Sequence, residues 1–528
     1  MINRLFVLAL ALIAGLVPAA APVAVRAATA SAGPATGAGT AASTASVLQY
    51  HADAGRTGAY VVPGLTTAGA QRMHRDRRFH PAIAGPVYAQ PLYWAPGHPT
   101  DAFVGTPTPG GRPMLLVATE QDVVYALDAR TGAVIWKRVL GAPAPRDSLP
   151  CGNIDPTGIT GAPAIDASRR VLYLDAMVKP PGGASPQHEI FALGLKNGSV
   201  AGGWPVDVAK AIAVMGKKFV APDQGERGAL TVVGGKVFVP YAGHFGDCAF
   251  YHGWVVGVDE ASPTHVSAWS TRGRGGGIWG QGGVVSDGRA LFVATGNTMG
   301  ARTWADGEAV IRLGLALSFT GKSQDFFSPK NWRQLDARDL DLGGTSPVLV
   351  ELPGGVGSGF ILQLGKDGNA YLLRRSNLGG LGGALAVKHV SSIPIRTAPA
   401  VYTSNGATYV AFQGLGVDCP GGHSGDLVAL RVSATPPRLA VAWCADEHGE
   451  GAPIVTTTNG TRDPIVWAAG AEGDNRLRGF RGSDGAVLFD GGGAAGAMRG
   501  LHRYQTLIAA GGRLYVAGDS TVYAFDFK

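Results

Sequence analysis

Hydrophobic positions along this chain fall in short runs that alternate with small or polar residues, and Gly, Pro, Asn or Asp closes each run. In Val123 to Arg138, VVYALDARTGAVIWKR, residues Val123, Tyr125 and Leu127 show the two-residue period of a half-buried strand. Ala129 to Gly132 supplies a turn, and Ala133 to Val139 restarts as a second strand carrying Trp136. The same hairpin returns as IFALGLKNGSVAGGW ending at Trp204, WVVGVDEASPTHVSAW at Trp269 and LVALRVSATPPRLAVAW at Trp443. Weaker copies begin at Ala370 and Leu477. Each hairpin follows two further strands, such as TGAPAIDASRRVLYLDA or TAPAVYTSNGATYVAFQG. A unit of four short strands recurring along the chain predicts a β-propeller, because the faces of one blade are buried only against its neighbours.

The count of units predicts an all-β, eight-bladed propeller of four-stranded antiparallel blades. Seven units lie between Gly85 and about Gly493, and an eighth starts at Tyr504 and runs out of chain at Lys528 after three strands. Residues near Arg72 to Ile83 are expected to supply the missing outer strand, closing the ring without a ring-gap edge. A seven-bladed count would require merging two weak units.

Composition agrees with many turns. Of 528 residues, 80 are Gly and 34 Pro, only 16% are charged, and no Gly-X-Y period is present. Residues 1–27 read as a signal peptide: Asn3-Arg4, an apolar run from Leu5 to Val17, and Ala-rich cleavage sites near Ala20 or Ala27, with no lipobox cysteine. Residues 28–46 read as a disordered Ala/Thr/Ser/Gly linker, which leaves 47–528 for the propeller. No later run approaches the roughly 20 apolar residues of a membrane span. The expected location is periplasmic or secreted.

Export makes Cys151, Cys248, Cys419 and Cys444 an even set in an oxidising compartment. Cys419 and Cys444 flank a strand hairpin that would bring them together, which leaves Cys151 for Cys248. Histidines four residues after Cys419 and Cys444 would also suit a Cys₂His₂ zinc site; the disulfide is the favoured reading. The net charge of +7 is spread thinly apart from HRDRRFH at His74 to His80, and no aromatic–basic interleaving supports nucleic-acid binding.

The A-L-D-x-x-T-G-x-x-x-W hairpin resembles the tryptophan-docking repeat of the pyrroloquinoline quinone (PQQ) propeller superfamily, over nearly all of the chain beyond Gln49. Four places resemble the cofactor site of its PQQ-dependent alcohol dehydrogenases. GGGIWGQGG places Trp279 at the tryptophan that stacks on the cofactor. LFVATGN places Asn297 at a calcium-binding asparagine, DLDLGGTSPVLV places Asp341 at the catalytic base, and LGKDGNAYLL places Lys366 at the cation contacting the quinone. The chemistry suits these types: a flat apolar floor, oxygen ligands for calcium, a carboxylate to take a hydroxyl proton, and a cation beside the quinone oxygens. Two family features are missing. Cys151 stands alone where the family has adjacent cysteines, and Cys248 aligns with its calcium-binding glutamate, with Asp247 next door as a substitute metal ligand beside Asn297 and Asp341. Arg227, Gln281, Arg396, Gln90 and Glu450 are expected to line the channel with no assigned chemistry. The resemblance implies an alcohol or sugar dehydrogenase with PQQ, calcium and a separate electron acceptor. The alternative is a non-catalytic propeller presenting its funnel or loops to a protein or glycan.

Overall fold

The computed structural model describes residues 46–96, 112–353 and 359–528, all within one compact unit. The expected signal peptide and all but the last residue of the expected linker lie outside the described residues. Eight sheets follow one another along the chain, each built on four antiparallel strands. Blade 1 comprises Leu92–Trp94, Met114–Thr119, Val123–Asp128 and Val134–Val139. Blades 2 to 7 occupy 164–207, 231–270, 285–328, 348–389, 400–445 and 454–490. Blade 8 has three strands from 507–526 and takes its fourth, His74–Arg75, from the N-terminal side. His74 pairs with Asp526 and Arg75 with Phe525, so the ring closes as the repeat count predicts. First strands of successive blades touch one another, which puts them around the axis and the fourth strands at the rim.

The tryptophans occupy the seams. Trp136 donates its indole N–H to the Leu195 carbonyl of blade 2 (2.9 Å), and Trp443 donates to Gly482 of blade 7 (3.0 Å). Both rings lie on the turn glycine of the next blade's hairpin. A Cβ on Gly198 would sit 2.7 Å from the Trp136 ring, and Gly198 also has φ +66°. The Asn-Gly turn there is therefore required twice over, by its left-handed backbone and by the neighbouring indole. Both predicted disulfides are present, Cys151–Cys248 and Cys419–Cys444, with Cα separations of 6.1 and 5.8 Å.

One structural segment carries no strand signature in the sequence. From Val47 the chain runs around the inside of the ring and engages successive first strands. Val47 bridges Tyr93, and the carbonyls of Leu48, Ala54, Gly55, Thr57 and Gly58 accept from Ile165, Ser286, Leu349, Val401 and Val455. Ala59–Val61 then pairs in parallel with Ile454–Thr457. Arg56 pins this strap to blades 3 and 4, and its guanidinium donates to the carbonyls of Gly282 (2.8 Å), Leu230 (2.9 Å) and Val284 (2.8 Å). Gln90 serves the strap as well, accepting from the His51 N–H (2.9 Å), so it is a strap anchor and not part of the pocket described below.

Candidate functional site

Blade geometry decides where the chemistry collects. A first strand runs away from one end of the ring and the second strand returns to it. Residues just before a first strand and just after a second strand must then share that end. In blade 4 these are Trp279, ahead of Val285–Ser286, and Asn297, after Ala290–Thr295. In blade 5 they are Asp341, ahead of Val348–Val350, and Lys366, after Phe360–Leu364. Arg227, Arg396 and Tyr504 precede the first strands of blades 3, 6 and 8.

These residues enclose a cavity of about 400 Å³ lined by Trp279, Asp341, Lys366, Arg227, Arg396 and Tyr504, with Asp247 and Asp339 at its edge. The Lys366 ammonium forms ion pairs with Asp341 and with Asp339 (3.0 Å). Asp341 Oδ1 accepts the Asn297 backbone N–H (2.7 Å). Gly296 makes the assembly sterically possible: a Cβ there would fall 2.5 Å from Asp341 Oδ1 and 2.9 Å from the Trp279 ring. Tyr251 supports Trp279 edge-on, with ring centroids 5.7 Å apart. Four residues chosen from the sequence are thus brought together, three of them on the cavity wall and Asn297 through its backbone contact with Asp341.

Electrostatics in the pocket follow from burial. Desolvation pushes the Asp341 carboxyl above the usual carboxylate range, although the Lys366 ammonium and the Asn297 N–H pull the other way. Burial pulls the Lys366 ammonium down, but the Asp341 and Asp339 carboxylates outweigh it and leave its pKa raised. Arg227 holds its guanidinium 5.7 Å from the Trp279 ring centre and donates from Nε to the Trp279 carbonyl (3.0 Å). Gln281 links the two arginines: its side-chain oxygen, turned toward Arg227, accepts from Nη2 (3.3 Å) and its NH₂ donates to the Arg396 carbonyl (3.1 Å). Among the described residues neither Arg227 nor Arg396 has a carboxylate partner. Glu450 contributes a backbone carbonyl, which accepts the Tyr504 N–H (2.7 Å).

The proposed metal donors are less well assembled. Asp247 Oδ1 accepts the Tyr251 hydroxyl (2.5 Å), and no hydrogen bond joins Asp247 to Asn297 or Asp341 among the described residues. Asn297 Oδ1 is buried without a partner. Among the described residues no group of three or more His, Cys, Asp and Glu side chains is disposed to hold a metal ion. The Cys151–Cys248 bridge lies beside the pocket: a Cβ on the lining residue Gly246 would sit 3.6 Å from the Cys151 sulfur. Arg227, Arg396 and Tyr504 are the pocket residues that sequence reasoning left without a role; their place just ahead of a first strand was the signal that could have found them.

No protein-family model matches the chain, and neither does any curated protein. Solved structures do. Quinohemoprotein alcohol dehydrogenase from Comamonas testosteroni superposes with a TM-score of 0.59 at 15% identity, over 91% of this chain and 80% of that one. Quinohemoprotein alcohol dehydrogenase ADHIIG from Pseudomonas putida HK5 gives 0.60 at 14%, over 91% and 80%. A europium-containing methanol dehydrogenase gives 0.57 at 13%, over 90% and 89%. The chain therefore has the fold of these dehydrogenases, an eight-bladed β-propeller.

Proposed function

We propose that this exported propeller binds PQQ in the channel pocket and oxidises an alcohol or sugar hydroxyl, passing the electrons to a separate acceptor. One observation carries the reading: Trp279, Asp341 and Lys366, chosen from three separate sequence stretches, meet on one cavity large enough for a small planar ligand. The residues present suit the cofactor. Trp279 offers an indole floor, Arg227 and Arg396 offer guanidinium groups to its carboxylates, and Lys366 offers an ammonium. PQQ held there would supply the hydride acceptor that the protein's own side chains lack.

The chain's own part is proton handling and positioning. Asp341 takes the hydroxyl proton on its carboxylate, and its buried setting strengthens it as a base. Lys366 fixes the orientation of that carboxylate through their ion pair, and Asn297 N–H holds Oδ1 from the other side. The Tyr251–Trp279 contact keeps the indole plane in place. The two disulfides agree with export to an oxidising compartment, and no described helix is long and apolar enough to cross a membrane.

The test is reconstitution with PQQ followed by dye reduction over a panel of alcohols and sugars. Asp341→Asn should abolish turnover and keep PQQ bound, because only the base is lost. Trp279→Ala should weaken cofactor binding. A wild-type protein that binds PQQ and reduces dye with none of the panel would refute the dehydrogenase reading and favour a scaffold propeller with a protein or glycan partner.

A further inference from the structure

We infer that this pocket takes its planar polycarboxylate without a divalent cation: Arg227 and Arg396 pair with the ligand's carboxylates, and Lys366 supplies the ammonium that occupies Asp341. The inference rests on the ligand class proposed above and concerns how that ligand is held.

The donor set does not fit calcium, which takes six to eight oxygen ligands, several of them charged. The position resembling the family's metal-binding glutamate is Cys248, and its side chain is bonded to Cys151. That position is locked into a different covalent role, so no rotamer change in the pocket restores an oxygen there. The neighbouring Asp247 directs Oδ1 to the Tyr251 hydroxyl. Asp341 already carries the Lys366 ammonium on one oxygen and the Asn297 N–H on the other. A dication approaching Asp341 would have to displace or tolerate an ammonium in direct contact with the same carboxylate. Like charges sharing one buried carboxylate repel, and the low effective dielectric of the interior weakens that repulsion little. Asn297 Oδ1, a neutral oxygen, is buried without a partner, and no group of three or more carboxylate, His or Cys side chains is disposed around it among the described residues.

The cationic side of the pocket is built from protein groups. Lys366 is held by two carboxylates, Asp339 and Asp341, which fixes the ammonium at the cavity wall. Arg227 is oriented by its bond to the Trp279 carbonyl and by the Trp279 and Tyr504 rings, 5.7 and 5.9 Å from its guanidinium. Arg396 lines the same cavity from blade 6. Two guanidinium groups without carboxylate partners among the described residues, beside an aromatic floor, match a flat ligand with carboxylates at its edge.

The experiment is calorimetric titration of the purified full chain, stripped with EDTA, against PQQ in two buffers: EDTA alone, and about 1 mM calcium. The expected dissociation constants agree within about twofold, and Arg227→Met and Arg396→Met each weaken binding by about tenfold or more in both buffers. Arg227→Lys and Arg396→Lys, which keep the charge and lose the fork, should fall between, which separates recognition from misfolding. Calcium tightening the wild-type affinity by tenfold or more overturns the inference and leaves the proposed function standing. Arginine variants that bind as tightly as wild type overturn it too. Absence of binding in both buffers overturns the inference and the proposed function together.

Discussion

Replacing Arg56 by Met tests whether the strap holds the ring's inner strands together. Arg56 is 1% exposed, and its guanidinium reaches blades 3 and 4 through the carbonyls of Gly282, Leu230 and Val284 and the Thr231 hydroxyl at 2.6 Å. Among the described residues no carboxylate contacts it, and burial lowers its pKa to about 10, so the charge is met by carbonyl groups and the Thr231 hydroxyl. Met fills much of the same volume but leaves the buried carbonyls of Gly282, Leu230 and Tyr50 without their donor, while Val284 keeps the Thr231 hydroxyl. At roughly 1–2 kcal/mol for each acceptor orphaned, the cost is about 3–6 kcal/mol, less whatever the chain regains by no longer burying a charge. For a ring of this size the unfolding entropy is on the order of 1 kcal/mol per kelvin, so the melting temperature should fall by only about 3–6 °C. Amide exchange is the more direct assay, since opening of the strap is a local event. Amides of Gly58 and of Ile165, Ser286, Leu349 and Val401, which bond to or from the strap, should lose protection in Arg56→Met. The Trp136 seam should keep its protection. Unchanged exchange across these amides would refute the pinning role of Arg56.

Other expectations follow from packing and titration. Gly198→Ala places a methyl group 2.7 Å from the Trp136 ring on a left-handed residue, and should cost about 1–3 kcal/mol in denaturant unfolding. Burial raises Glu120 to about 7 and Asp122 to about 9. The folded state therefore binds more protons than the unfolded chain from about pH 4 upward, and stability should fall as pH rises through 7 toward 9. Melting curves at pH 5 and pH 8.5 check the sign, and Glu120→Gln with Asp122→Asn should flatten the difference. Reducing Cys419–Cys444, which spans 25 residues, should remove about 3–4 kcal/mol in the chain-entropy picture, read by unfolding in the presence and absence of reductant.

The sequence carries the fold because each blade repeats the same local instructions. Alternation in Val123–Asp128, the turn at Gly132 and the plug at Trp136 agree with one another, and only a ring of neighbours gives that tryptophan a seam. Ring closure by His74–Arg75 was legible because the last unit was one strand short. The strap at Val47–Val61 was not legible, since its bonds are backbone carbonyls meeting strands up to hundreds of residues away and leave no period in the side chains. In the site, Trp279, Asp341 and Lys366 could be placed by motif, and the antiparallel blade explains why they share an end. Arg227 and Arg396 were expected on the channel wall, but without chemistry, because their lack of a carboxylate partner among the described residues shows only in three dimensions. Asp247 was assigned to a metal by its neighbourhood in sequence, whereas its oxygen is engaged by Tyr251 four residues on.

Difference density from crystals soaked in PQQ shows whether the channel pocket beside Trp279 is a PQQ site. The expected result is a flat tricyclic feature stacked on the Trp279 indole, with Arg227, Arg396 and Lys366 at its edge and Asp341 facing the reactive carbonyl side. Density on another face of the ring, or a pocket that stays closed by the Arg227–Trp279 contact at saturating PQQ, would contradict it.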